Sequence, residues 1–206
     1  MSSRLIEVTA AATAAGEAVR KLALAASASV GADCYLHAEL TRRLLADLGL
    51  TCKTQVGFAA WRVGRGDGDV IAHTFKVPGY LPEGAIGLPF HAWVTWDGIS
   101  PEDDILIDTT TYQLPHKARA LDALDGGHTV VEWCPELLVV PRSALSSYET
   151  VAKAPGPGVF YYEQVPQLQA RVSADFVLEE DAMDKARLIL ANPGVMVMGP
   201  NDLPQA

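Results

Sequence analysis

The chain has 206 residues, 49% of them hydrophobic and 20% charged, so it can bury one substantial core and is expected to form a single domain over residues 1–206. Its formal net charge of −9 argues against a nucleic-acid partner or an anionic membrane surface, because binding to either requires basic patches. No apolar run approaches the roughly 20 residues that a membrane-spanning helix needs. Cys34, Cys52 and Cys134 are odd in number and form no C-x-x-C pair, which predicts free thiols in a reducing cytoplasm.

The N-terminal quarter of the chain is predicted to be helical. Residues 4–27 combine alanine with spaced leucine and valine, and acidic residues precede a short apolar segment, which indicates a helix and not a signal peptide. A second helix is expected to begin near Asp33, acting as the N-cap, and to end at Gly49 in a left-handed C-cap. Its leucines fall on one face, so this helix is expected to be half buried.

From residue 52 onward the apolar pattern becomes typical of strands. Residues 54–63 and 70–77 are predicted to form a hairpin across the turn-rich "GRGDGD", and residues 78–89 a Gly/Pro loop. Because strands follow helices without regular alternation, the fold class is predicted to be α+β, with N-terminal helices packed on a mainly antiparallel sheet. Further strands are predicted at 90–98, 105–110, 128–133, 137–140 and 159–165, a short helix at 116–124, and one amphipathic helix within 174–194.

Cys34 stands where a glycine-containing stretch turns into the second helix. A thiol in the first turn of a helix feels the positive end of the helix dipole, which favours thiolate and predicts a low thiol pKa. The alternative is that Cys34 is a small buried hydrophobic residue, as most free cysteines are.

A cysteine nucleophile needs a base and a third group that orients the base. His91 opens the predicted strand "HAWVTW", and Asp108 closes the next strand, "ILID", so the two are expected to meet across the sheet. Cys34, His91 and Asp108 are therefore the predicted catalytic residues, with Asp104 as the reserve third member. The alternative is a core histidine and a carboxylate that begins a turn.

Other residues near these positions have weaker claims to a role. His37 lies three residues after Cys34 on the same helix face, where it is a rival base or half of a Cys-x-x-His metal pair. Trp93, beside His91, and Tyr80, in the preceding loop with Leu81, are predicted to contact substrate, although core packing is the default role of the tryptophan. No metal site is expected.

Helix-initial Cys34, His91 in "HAWV" and Asp108 in "LIDTT" resemble the core of the transglutaminase-like branch of the papain-like cysteine enzymes. That branch includes arylamine N-acetyltransferases, bacterial transglutaminase-like peptidases and the leader peptidases of lasso-peptide biosynthesis. The likeness covers residues 31–112 and implies a papain-like fold, with the cysteine at a helix start and the other two residues on adjacent antiparallel strands. Only Gly31 remains of the residues that precede the acetyltransferase cysteine, which points away from acetyl-coenzyme A as the acyl donor.

The resemblance implies a thiol-dependent hydrolase, of cysteine peptidase or amidase type, that acts on a peptide or small amide substrate and needs no cofactor. One alternative is an acyltransferase that passes the acyl-thioester to an amine. Another is a binding protein of the same fold without turnover, because no glutamine stands just upstream of Cys34 to complete an oxyanion hole.

Overall fold

The computed structural model describes residues 3–26, 31–75, 89–98 and 104–202. In chain order the helices and strands are α1 (Ser3–Ala26), α2 (Cys34–Asp47), β1 (Cys52–Arg62), β2 (Val70–His73), β3 (His91–Trp96), β4 (Ile105–Asp108), α3 (Leu114–Asp125), β5 (Leu138–Pro141), α4 (Tyr148–Lys153), β6 (Val159–Gln164), α5 (Pro166–Asp175) and α6 (Glu180–Ala191). The fold is α+β, as the sequence predicts.

All the strand pairs of the described sheet are antiparallel, and β1 is its centre. The first half of β1 pairs with β3, while its second half pairs with both β2 and β6; β4 and β5 then follow β3 in order. At Gly57, which pairs with His91, a Cβ atom would lie 1.9 Å from the carbonyl oxygen of Glu163. Only glycine therefore allows β6 to approach β1 this closely.

The helical layer covers one face of the sheet. Apolar residues of α1, α2 and α6 pack with the β1, β3 and β4 side chains that point toward them, including Val56, Ala92 and Ile107, which are at most 1% exposed. The opposite face carries a second cluster, largely aromatic, built around Trp61, Trp93 and Tyr162. His91 and Asp108 alternate with the helix-facing residues, so they lie on this aromatic face.

Most elements of the first two thirds of the chain are confirmed. The structure contains the N-terminal helix, the hairpin of β1 and β2, the strands β3 and β4, and the helix that begins just before residue 116. The helix α2 ends as expected: Gly49 has φ +84°, and the amide of Leu50 donates to the carbonyl of Leu45 at 2.8 Å. β5 and β6 are also found close to their predicted ranges.

Two local predictions are wrong. Residues 128–133 form no strand, because the amides of Glu132 and Trp133 both donate to the single carbonyl of Val63 and extend no ladder. The helix predicted within 174–194 begins only at Glu180, after the separate helix α5 and an extended connection. Asp33 is the N-cap residue of α2, as predicted, although its side chain makes no capping hydrogen bond and accepts one from Gln113 instead.

In the part of the chain that the structure describes, no helix combines the length and apolarity that crossing a membrane requires.

Candidate functional site

His91 and Asp108 are in direct contact on the aromatic face of the sheet. The register of β3 and β4 pairs Val94 with Ile107, so His91 and Asp108 are diagonal neighbours on adjacent strands. Nε2 of His91 lies 2.8 Å from Oδ2 of Asp108, and both side chains are fully buried. A hydrogen bond between two charged or polar groups this deep in the protein is strong, because water does not compete for it.

Each oxygen of the Asp108 carboxylate accepts two hydrogen bonds. Its Oδ1 accepts from the backbone amide and the hydroxyl of Thr110, both at 2.8 Å. Its Oδ2 accepts from His91 and from the hydroxyl of Tyr162, at 2.8 and 2.7 Å. Burial alone would raise the pKa of this carboxyl, but His91, the charge of Lys117 and the hydrogen bonds hold it well below its usual range.

The charge of Asp108 fixes which nitrogen of His91 carries the proton. An ionised carboxylate only accepts hydrogen bonds, so Nε2 of His91 is the N–H nitrogen and Nδ1 carries a free lone pair. Burial lowers the pKa of His91 and outweighs the pull of Asp108, so the ring is neutral. Nδ1 is buried and has no hydrogen-bond partner among the described residues. The structure therefore holds an unpaired basic nitrogen at this point, and buried polar atoms without partners are rare.

Tyr162 and Trp61 extend this pair across the sheet. The indole N–H of Trp61 donates to the hydroxyl of Tyr162 at 2.8 Å, and that hydroxyl donates to Asp108. The ring of Trp61 also packs edge-on against His91, with 4.9 Å between centroids. Neither residue is predicted from the sequence to belong to the site. Only the pairing of β6 with β1 brings Tyr162 here, and no local spacing signals it.

Cys34 is the first residue of α2, as expected, and its sulfur lies against the backbone N–H of Ala92, the residue after His91. The side chain belongs to the core beneath α2 and is 6% exposed. Burial raises the pKa of its thiol, while Lys117 and the Ala92 amide oppose that rise only in part. The low thiol pKa expected from the helix terminus is thus reversed by burial, and the resting thiol is neutral.

The rivals for the base and for the third member are engaged elsewhere. Nδ1 of His37 lies 3.1 Å from the carbonyl oxygen of Asp33, and its Nε2 lies 3.0 Å from the hydroxyl of Tyr112. Asp104 accepts from the amide of Gly98 and lies 3.6 Å from Arg142. Neither His37 nor Asp104 therefore has the contacts that its reserve role would need.

A cavity of about 320 Å³ opens on the same face of the sheet as His91. Trp93 and Tyr162 form part of its wall, and both rings pack against His91, at centroid distances of 6.3 and 6.0 Å. Trp93 is therefore placed between the candidate base and a space large enough for a side chain or a small ligand. The other residues with a predicted role in substrate contact, Tyr80 and Leu81, lie outside the described residues.

Within the described ranges, no group of three or more His, Cys, Asp or Glu side chains is arranged to hold a metal ion.

No protein-family model and no curated protein sequence matches the chain. Its structure is similar to the crystal structure of a protein described as a genomics target, with a TM-score of 0.60 and 19% sequence identity. The alignment covers 88% of this chain and 78% of the other. At that level of identity the similarity concerns the fold alone.

Proposed function

We propose that the protein is a cysteine hydrolase that cleaves an amide bond, with Cys34 as nucleophile, His91 as general base and Asp108 as the group that orients His91. The observation that carries the proposal is the unpaired, buried Nδ1 of His91, held in its basic form by the 2.8 Å contact of Nε2 with Asp108. A structural histidine would normally have both ring nitrogens satisfied, as His37 has.

The chemistry follows from the neutral state of both partners. As the sulfur of Cys34 attacks the amide carbonyl, its proton passes to Nδ1 of His91, and the imidazolium then gives that proton to the departing amine. Water, activated by the same nitrogen, attacks the thioester, releases the carboxylic acid and restores the thiol. The reaction consumes one amide and one water and needs no cofactor.

The proposal includes a papain-like arrangement of the three residues. It is supported by the start of α2 at Cys34, by the packing of α2 on the sheet, and by the position of His91 and Asp108 on adjacent antiparallel strands. A hydrogen bond from the backbone amide of Ala92, the residue after His91, lowers the pKa of the Cys34 thiol, which supports a position of the nucleophile near the start of β3.

The cavity beside Trp93 favours an uncharged portion of a peptide or small amide as its occupant. Lys53 on its wall pairs with Asp97, and Arg142 pairs with Asp104, so the charged residues that line it are already balanced. The ring of Trp93, with Leu106 and Tyr162 on the same wall, offers an apolar surface for such a group.

Formation of an acyl-enzyme tests the proposal without knowledge of the natural substrate. The protein is mixed with p-nitrophenyl acetate, and each cysteine-containing peptide is examined for an added acetyl group by mass spectrometry. We expect acetylation of Cys34, its loss in Cys34→Ala, and a drop of at least about 100-fold in His91→Gln, the usual contribution of a general base. Cys52→Ala is the matched control, because burial raises the pKa of that thiol to about 12 and no histidine is among the described groups that act on it.

The fate of the acetyl group separates the alternatives. Release to water at a rate that an added primary amine leaves unchanged supports a hydrolase, whereas an amide product formed in proportion to the amine supports an acyltransferase. If Cys34 is not acetylated faster than Cys52, or if His91→Gln is acetylated as fast as the wild type, the proposed chemistry is wrong and a binding role takes its place.

A further inference from the structure

Lys117, in the first turn of α3, is a buried cation beside the candidate site. The residue is 3% exposed, although lysines are almost never buried to this extent unless they are paired. Its ammonium lies over the ring of Trp61, 5.1 Å from the centroid, and forms no ion pair with any carboxylate in the described ranges. A cation–π contact recovers only part of the free energy lost when an ammonium leaves water.

The side chain of Lys117 runs between the elements that present the nucleophile and the base. Its Cγ lies 3.7 Å from where a Cβ of Gly31 would be, three residues before Cys34. Its other end rests on Trp61, whose ring contacts that of His91. The ammonium is close enough to be the strongest influence opposing the effect of burial on the Cys34 thiol.

We propose that Lys117 is a positioning residue of the site: its ammonium balances the negative charge that forms on the Cys34 sulfur and then on the acyl oxygen during attack. This inference rests on the proposed function. At rest the buried centre holds Lys117 and Asp108, one charge of each sign. When His91 takes the proton of Cys34, an imidazolium and an anion are added, and the centre again sums to zero. Without Lys117 the centre would have a net charge of −1 before and after this step, so the new anion would form in a low-dielectric site where only the imidazolium balances it and Asp108.

Several other titratable groups surround the pair, and the test has to separate them from Lys117. Asp33 and His37 lie at the start of α2, and Asp108 lies on β4. His73 on β2 stacks on His91 with 6.0 Å between ring centroids, and burial lowers the pKa of His73 well below its ordinary value. Among the side chains with described effects on Cys34, Lys117 lowers the pKa of the thiol, whereas Asp108 and Asp33 raise it.

The test compares Lys117→Met, which keeps the aliphatic stem but removes the charge, with Lys117→Arg, which keeps the charge. The rate of alkylation of Cys34 by iodoacetamide is mapped by mass spectrometry from about pH 5 to about pH 10, with Cys52 in the same molecule as internal control. We expect the curve of alkylation rate against pH for Cys34 to shift by about one pH unit to higher pH in Lys117→Met, which makes alkylation about tenfold slower at any pH below the pKa of the thiol, and to stay near the wild-type curve in Lys117→Arg.

Lys117→Gln repeats the neutral variant, and all proteins are measured at a temperature at which circular dichroism shows them folded. If the neutral variants melt at a lower temperature but keep the wild-type curve of alkylation rate against pH for Cys34, Lys117 is only a structural counter-charge for Asp108 and the inference is wrong. A shifted curve in a protein that p-nitrophenyl acetate does not acylate would leave the electrostatic role of Lys117 standing while the proposed hydrolase activity fails.

Discussion

The two oxygens of the Asp108 carboxylate face donors of different kinds. Oδ1 meets the fixed backbone amide of Thr110 as well as its hydroxyl, whereas Oδ2 meets His91 and the rotatable hydroxyl of Tyr162. An asparagine at this position would have to place its oxygen toward the backbone amide, because that donor cannot turn away. Its NH₂ group would then face Nε2 of His91.

We therefore expect Asp108→Asn to trap His91 in the wrong tautomer. With an NH₂ donor opposite Nε2, the ring proton moves to Nδ1, and this nitrogen, the proposed base, can no longer accept a proton. Acylation of Cys34 should fall by roughly 10³-fold or more, as expected when a triad histidine is held in the wrong tautomer, while the protein still folds. Acylation rates and thermal melts of this variant are compared with those of Asp104→Asn, whose carboxylate lies beside Arg142. A wild-type acylation rate in Asp108→Asn would make Asp108 a purely structural residue.

The candidate residues that could be predicted from the sequence lie at the ends of helices and strands. Those that could not be predicted reach the site only through contacts between elements that are distant in the sequence. Cys34, His91 and Asp108 each open or close a helix or strand, so local pattern alone singles them out. Tyr162 is 54 residues from Asp108 in the chain and meets it only because β6 returns to β1. Lys117 has the spacing of an ordinary surface lysine on a helix, and nothing in its neighbourhood in the sequence signals burial.

The helix α2 carries Cys34, and the C-terminal end of this helix depends on the backbone conformation of one residue. Gly49 adopts φ +84°, which allows the amides of Gly49 and Leu50 to close the last turn on Ala46 and Leu45. A Cβ at Gly49 would meet no atom within 4 Å, so any cost of a side chain there comes from the backbone alone.

We expect Gly49→Val to reduce the free energy of unfolding by about 1–2 kcal/mol, the cost of a left-handed conformation for a residue with a Cβ. Cys34 is a full helix length away, so its acylation rate should not change. Urea denaturation compares this variant with Gly68→Val, where a Cβ also meets open space but φ is not left-handed. Equal stabilities of the two variants would mean that α2 ends without help from Gly49.

The boundaries of some helices and strands could not be predicted from the sequence pattern. The apolar segment 128–133 has the composition of a strand. However, two successive amides of this segment both donate to the carbonyl of Val63, so the segment does not form a ladder of strand hydrogen bonds. In the same way, the amphipathic pattern within 174–194 does not show that residues 176–179 lie outside both helices, with extended backbone at Phe176 and Glu179.

For the whole molecule, buried titratable groups link stability to pH. Burial lowers the pKa of His37, His73 and His91, so the unfolded chain binds protons at these positions more readily than the folded protein does. The contribution of these histidines to the free energy of unfolding should be complete above about pH 6.5, the pKa of histidine in the unfolded chain. It should decrease as the pH falls below that value. At the alkaline end, burial raises the pKa of Cys34 and Cys52, so stability should fall as their thiols ionise in the unfolded chain.

Each histidine that stays neutral in the folded protein contributes about 1.4 kcal/mol per pH unit, so the three together give a slope of up to roughly 4 kcal/mol per pH unit below about pH 6. Urea denaturation at a series of pH values measures this slope directly. His37→Gln should reduce this slope by about 1.4 kcal/mol per pH unit, the contribution of one proton. The glutamine amide can keep one of the hydrogen bonds that His37 makes with Asp33 and Tyr112, but it does not titrate. His128→Gln, at an exposed position, is the matched control for the substitution itself. If the free energy of unfolding does not change between about pH 7 and about pH 5, the imidazoles become protonated while the protein stays folded. The neutral His91 on which the proposed chemistry depends would then be lost in the same pH range.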